Sequence, residues 1–295
     1  MMRKLFSILI LLVALLTLLL CFLRFRNGDE ALPVYPYAED GALVAEHTSD
    51  TLRWRIERSQ VEGVTVYLTQ ICLADPGRQI GKATADWEEN VQDTAALAAR
   101  APEASLLINA SGYVTRAYYQ IPDNYPGTSA DYYFTPLGSI TVTDGQVYRH
   151  LEGVPYYGLT LNTDGLHLHV GDDPAQVLAA EPTQTWSFYV ECPIIQDHAS
   201  ILDPDWSFTR RRAMRNIICK MDEHNYLILT VTNQSGGGLT MQQCVDYLLS
   251  TFNPEWAYNL DGGPSTALMY RDEAGELVTV WRNRQENVDI MTFSD

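Results

Sequence analysis

The densest concentration of usable chemistry in the chain is NLDGGPSTALMY, residues 259–270. Aspartate is depleted from strands, yet Asp261 closes the apolar stretch AYNL, which reads as a buried strand. Gly262 and Gly263 let the backbone turn sharply and bring N–H groups close to a ligand. Ser265 and Thr266 add two hydroxyls. The competing reading is a tight turn capped by Asp261, because Asp-Gly is common in turns. A second concentration is RRRAMRNIICK, with Arg210, Arg211, Arg212 and Arg215 in six positions. A cationic patch of this kind suits an anionic group such as a phosphate. Arg210–Arg212 read as a solvated loop, whereas Arg215 stands just before Ile217-Ile218 and is expected at a strand entrance facing a cleft. A third candidate is Asn109, which ends the apolar run LLIN; its amide can bond a ligand or its own turn.

Other chemistries find no support. The chain has no GxxxxGK[ST], no GxSxG and no helical HExxH. Gly236–Gly238 precede a helix start, where an anion can be held, but a connector is the simpler reading. His167 and His169 share one face of a strand, with no third ligand in sight, so no metal and no cofactor are expected. Cys72, Cys192, Cys219 and Cys244 are widely spaced in apolar surroundings and read as small buried hydrophobes.

The elements that must position these residues are mostly strands. Val64, Val66 and Leu68 alternate, LLIN and YLILTVTN read as buried strands, and Asp144-Gly145 and Asp164-Gly165 sit between alternating arms as hairpin turns. LMYRDEAGELVTVW is a further hairpin. The alanine-rich 93–100 segment reads as a helix. A second helix starts at Thr240, where Gln243 completes capping-box spacing and Cys244, Val245, Leu248 and Leu249 make an apolar face. Strands with interspersed helices point to an α+β domain around a mixed β-sheet.

The charge is uneven. The chain of 295 residues has 46% apolar and 19% charged residues and a net charge of −17. Residues 1–26 carry Arg3, Lys4, Arg24 and Arg26 and no acid, leaving 16 basic against 37 acidic residues for the remainder. Such a surface excludes nucleic acid as a partner. Leu5 to Leu23 is uncharged and long enough to span a bilayer as one N-terminal transmembrane helix, uncleaved in preference to a cleaved signal. The expected organisation is therefore a membrane anchor over 1–26, a polar stalk over 27–58 and one domain over 59–295. The corresponding location is a single pass through the cell membrane, with the domain facing outside.

Taken in order over roughly residues 60–295, these motifs resemble the phosphodiester glycosidase family, whose bacterial members are often described as exopolysaccharide biosynthesis proteins. SLLINASGY stands at the family's Ile-Asn-Ala/Gly-Gly strand end, and MRNIICK at its Arg-Thr-Ala-Ile-Gly segment. GGGLTMQQCVDYLLSTFNPEWAYNLDGGPSTALMY resembles its Gly-Leu-Thr helix and Leu-Asp-Gly-Gly-Gly-Ser-Ser signature. Pro264, Cys219, Asn216 and Ala110-Ser111 depart from the pattern. The resemblance implies hydrolysis of a sugar-1-phosphodiester on cell-surface or extracellular glycans, through an oxocarbenium-like transition state. Asp261 is then expected to stabilise that state or to act as nucleophile or base, and Arg215 to meet the departing phosphate. Asn109, Gly262, Gly263, Ser265 and Thr266 are expected to bind substrate. A non-catalytic polysaccharide-binding module, suited by 17 tyrosines, and a hydrolase using Ser265 as nucleophile are the rival readings.

Overall fold

The computed structural model describes residues 41–85, 91–115, 134–136, 138–188, 191–205, 207–234, 236–282 and 286–295. Two antiparallel sheets dominate. In the eight-stranded sheet the order is Ala42–Thr48, Leu52–Val61, Val64–Leu73, Asn225–Val231, Arg215–Lys220, Trp256–Asn259, Pro193–Gln196 and Ala199–Ser200. In the five-stranded sheet it is Leu277–Arg282, Ala267–Arg271, Ala104–Asn109, Asp289–Ser294 and Ile80–Thr84. A three-stranded sheet (Gly165–Asp172, Tyr156–Asn162, Gln184–Ser187) and two two-stranded sheets (Tyr113–Thr115 with Phe134–Pro136, Ile140–Thr143 with Gln146–His150) complete the described strands.

Period-two alternation decides which residues fill which core. Ile218 of the Arg215–Lys220 strand joins Trp54, Ile56, Ile228 and Tyr258 in a core that also takes Leu106, Ile108 and Met291 from the five-stranded sheet. Ile217 and Cys219 of the same strand point the other way, onto the helix Met241–Thr251, whose Met241, Cys244, Val245 and Leu248 are buried there. The short helix Thr94–Ala98 covers the far face of the five-stranded sheet through Leu97 and Ala98. Each fully buried aliphatic side chain contributes about 1.5–3 kcal/mol.

The expectation of an α+β fold around a mixed sheet is overturned. About half of the described residues (51%) are strand and 15% helix, and every strand pairing among them is antiparallel. The protein is therefore mostly β, with a sheet packed on a sheet. The helical signals are real but short. Only Met241–Thr251 exceeds six residues among the described α-helices, so the helices cover sheet faces and do not form a layer that crosses between parallel strands. The Asp93 cap and the Thr240–Gln243 capping box stand where the sequence puts them.

The expected transmembrane helix at Leu5–Leu23 lies outside the described residues, and no helix among the described residues is long and apolar enough to cross a membrane. The stalk expected over 27–58 is taken up from Ala42 onward by two strands of the large sheet. Leu52, Trp54 and Ile56 alternate with Arg53, Arg55 and Glu57, a strand period hidden by the charges on the other face.

Replacing Thr240 by Ala removes the hydroxyl that accepts the Gln243 N–H at 3.1 Å. Chemical denaturation of Thr240→Ala is expected to show a loss of about 1 kcal/mol with an unchanged m-value.

Candidate active site

Leu260 to Thr266 form the link by which the chain leaves the large sheet after Trp256–Asn259 and enters the five-stranded sheet at Ala267. Asp261 stands at the start of this link. Its backbone is pinned on both sides: its N–H donates to the Ala110 carbonyl at 2.8 Å, and its own carbonyl accepts from Asn109 Nδ2 at 2.7 Å. The carboxyl accepts the Gly262 N–H at 2.8 Å. Burial, with the residue only 9% exposed, pushes the Asp261 pKa up to about 7. Hydrogen bonds from the Ser265 hydroxyl and the Gly262 N–H act against burial, and the charge of Asp289 adds to it. No cation among the described residues lies within ion-pair distance of Asp261.

The strand register brings Arg215 to the same place. Ile217 pairs with Asn259, Leu260 N–H donates to Asn216 O, and Gly263 N–H donates to Met214 O, so Asp261 lies across from Arg215 at the end of the sheet. The Arg215 side chain is 3% exposed and is held by backbone carbonyls. Nε donates to Leu239 O at 3.4 Å, and Nη2 to Phe208 O at 3.0 Å and Arg211 O at 2.9 Å. Nη1 takes no hydrogen bond among the described residues, and no carboxylate among them neutralises the guanidinium. Burial accordingly lowers its pKa. Arg215 and Asp261 thus meet through their backbones, with the Arg215 guanidinium turned toward Phe208, Arg211 and Leu239.

The other sequence candidates have different surroundings from those expected. Asn109 is 0% exposed and wholly engaged: Oδ1 accepts from Asn216 Nδ2 at 2.7 Å and from Ala267 N–H at 2.8 Å, while Nδ2 holds Asp261. It fixes the link and does not face a ligand. The Gly262 and Gly263 N–H groups, expected to hold a ligand, are consumed by Asp261 Oδ1 and Met214 O. What the two glycines supply is shape. Gly263 has φ +58, and a Cβ at Gly262 would stand 2.8 Å from Met214 O. Pro264 is exposed at the tip of the turn, and Ser265 and Thr266 are buried beneath it. Thr266 Oγ1 has no hydrogen-bond partner. Gly238 packs against Ala213 O, and Arg212 Nη1 donates to Gly238 O, so the triple glycine serves as a connector. His167 and His169 bond Asp164 and Asp172.

Several residues around the site escaped sequence reasoning. Asn216 donates also to Ala267 O at 2.8 Å and accepts from Thr230 Oγ1 at 2.6 Å, completing a buried Asn109–Asn216–Thr230 network between the two sheets. Asp289 accepts the Ser111 N–H and hydroxyl, each at 2.7 Å, and pairs with buried Lys82 at 3.3 Å. A signal for both was present. Asn216 and Asp289 are polar interruptions of otherwise apolar strands, the argument that picked out Asp261.

The sequence profile of the phosphodiester glycosidase family matches residues 103–290. The catalytic domain of zebrafish N-acetylglucosamine-1-phosphodiester alpha-N-acetylglucosaminidase, auto-inhibited by its pro-peptide, has a similar fold. It is 14% identical with a TM-score of 0.62, and the match covers 87% of this chain and 88% of that one. A hypothetical protein from Synechocystis is similar at a TM-score of 0.52 and 14% identity, over 88% of this chain and 64% of that one. No curated protein sequence matches the chain.

A raised carboxyl pKa means that the folded state binds the proton more tightly than the unfolded state. The stability contributed by protonated Asp261 is therefore complete below about pH 4 and lost as pH rises through about 7. Thermal melts of Asp261→Asn are expected to lie above wild type at pH 8, by an amount on the order of 4 kcal/mol or less, and to converge with it near pH 4. By contrast, Asn109→Ala is expected to lose about 3 kcal/mol or more at both pH values, because it strands two buried donors and a carbonyl.

Proposed function

The chain belongs to the phosphodiester glycosidase family, and from that premise we propose that it is a hydrolase cleaving a sugar-1-phosphodiester at the glycosidic carbon. The observation that carries this reading is Asp261: a carboxyl held out of water at a strand end, its pKa pushed up to about 7 by burial. Packing gives no reason to keep an acid there.

The chemistry divides between Asp261 and Arg215. As the glycosidic bond lengthens, positive charge grows on the sugar ring, and ionised Asp261 stabilises it or attacks directly, or draws a proton from water. The leaving phosphate monoester is already a weak base, so it needs a cation more than a general acid. Arg215 supports that role because Nε and Nη2 are fixed by three carbonyls while Nη1 takes no hydrogen bond among the described residues. A guanidinium tethered in this way spends little entropy in meeting an anion. Asn109 and the Gly262–Gly263 turn act on the reaction by holding Asp261, and Ser265 by hydrogen bonding its carboxyl. A cell-surface or extracellular glycan is the proposed substrate class. The uncharged Leu5–Leu23 run supports it, since export machinery reads such a segment whether it is removed or retained.

Assay of the purified chain on a sugar-1-phosphodiester tests the proposal. Wild type is expected to turn over with kcat/KM rising through about pH 7, as Asp261 ionises. Asp261→Asn should be folded and at least about a thousandfold slower. Ser265→Ala should lose about tenfold to a hundredfold; a folded but wholly inactive Ser265→Ala would point to a serine nucleophile instead. Arg215→Lys keeps a charge but not the three-carbonyl tether, and its kcat should fall more on the phosphodiester than on an aryl glycoside. An inactive, folded wild type that still retains polysaccharide would make the chain a binding module.

A further inference from the structure

Lys82 and Asp289 are the ion pair of the described residues in which both side chains are nearly inaccessible, at 1% and 4% exposure. Stability alone is a poor reason for such a pair, because two buried charges are often replaced by apolar groups without loss. Its surroundings are specific. Lys82 Nζ also donates to Thr185 O at 2.7 Å and stands 5.7 Å from the centre of the Trp186 ring. Asp289 grips Ser111 twice, through the N–H and the hydroxyl. The residues just before Ser111 grip Asp261 twice, through Ala110 O and Asn109 Nδ2. Gly112 N–H closes the segment on Ser187 O at 2.9 Å. One short loop therefore has the acting carboxylate on one side and a second carboxylate on the other.

We propose that Asp289, held between Ser111 and Lys82, is a positioning residue for Asp261: it locks the Asn109–Gly112 loop against the Asp261 backbone and supplies a fixed negative charge nearby. The proposal rests on the reading of Asp261 as the carboxylate that acts. Its consequence is control of protonation. Like charges disfavour each other's ionised forms, so Asp289 helps burial to keep Asp261 protonated until about neutral pH. The other titratable and charged groups around the pair are few. Lys82 faces it from the Ile80–Thr84 strand, its ammonium destabilised by burial and supported by Asp289 and, from the Thr143–Gln146 turn, by Asp144. Tyr156, from the three-stranded sheet, is kept protonated by burial, with Asp289 adding to the effect. Around Asp261 itself stand Ser265 and the Gly262 N–H.

The test is a direct titration of Asp261 in the full-length chain labelled with 13Cγ-aspartate, its signal identified by its loss in Asp261→Asn. Asp289→Asn removes the charge. The double variant Lys82→Met/Asp289→Asn removes the pair together, so that no buried charge is left alone and the fold survives. The midpoint of Asp261 is expected to fall in Asp289→Asn and to fall less in the double variant, where Lys82 takes an opposing charge away with it. The low-pH limb of kcat/KM on a sugar-1-phosphodiester should move by the same amount. A folded double variant in which Asp261 titrates as in wild type overturns the proposal, as does a limb that stays in place while the midpoint moves. A wild type without turnover overturns the hydrolase reading alone, and the titration then decides the part played by Asp289.

Discussion

A carboxyl group stays buried at the end of a strand only if every backbone group around it is satisfied from within the protein. Here part of that satisfaction comes from one side-chain amide, beside the Ala110 and Met214 carbonyls. Asn109 reaches from the central strand of the five-stranded sheet, holds the Asp261 carbonyl and the Ala267 N–H, and is itself held by Asn216 of the large sheet, which Thr230 completes. The two sheets are thus registered to each other by polar contacts at the point where the chain crosses between them. In a low-dielectric interior a satisfied network of this kind is rigid, and a partly satisfied one is costly. The position of Asp261, the fit of the Gly262–Gly263 turn against Met214 O and the approach of the Ala110 carbonyl all depend on it.

Charge is distributed around this network in a way that ordinary packing does not require. The chain is strongly acidic, yet the Arg215 cation has no carboxylate partner among the described residues, and Asp261 has no cation. Both groups are desolvated, and both have pKa values displaced toward their neutral forms. A little further off, Lys82 and Asp289 are paired with each other. Keeping each of these two groups desolvated without an ion-pair partner, Arg215 and Asp261, lowers stability at neutral pH.

Much of the frame was readable from the residues. The hairpins at Asp144-Gly145 and Asp164-Gly165, the buried strands ending at Asn109 and Asn259, and the capped helix after Thr240 stand where local pattern and capping chemistry place them. The fold class was misread because short helices count as elements in a sequence but contribute only cover in space, and because the charges in LRWRIE masked its alternation. Among the site candidates, the roles of Asn109, Gly262 and Gly263 as ligand contacts do not follow from their surroundings, since their polar groups are spent inside the protein.

By itself the sequence determined which residues were out of place. An aspartate, an asparagine and an arginine at the margins of apolar runs violate the local rule that strands bury apolar groups, and such violations mark function or strain. The motif order over the second half of the chain carried the family as well. Only the tertiary structure decided which of these residues meet. Asp261 and Arg215 become neighbours through the register of two antiparallel strands, and Asp261 and Asp289 through the loop that ends a third. Those pairings are long-range, and so is the burial that moves a carboxyl to about pH 7. Desolvation is a property of everything packed around a group, and no local stretch of sequence contains it.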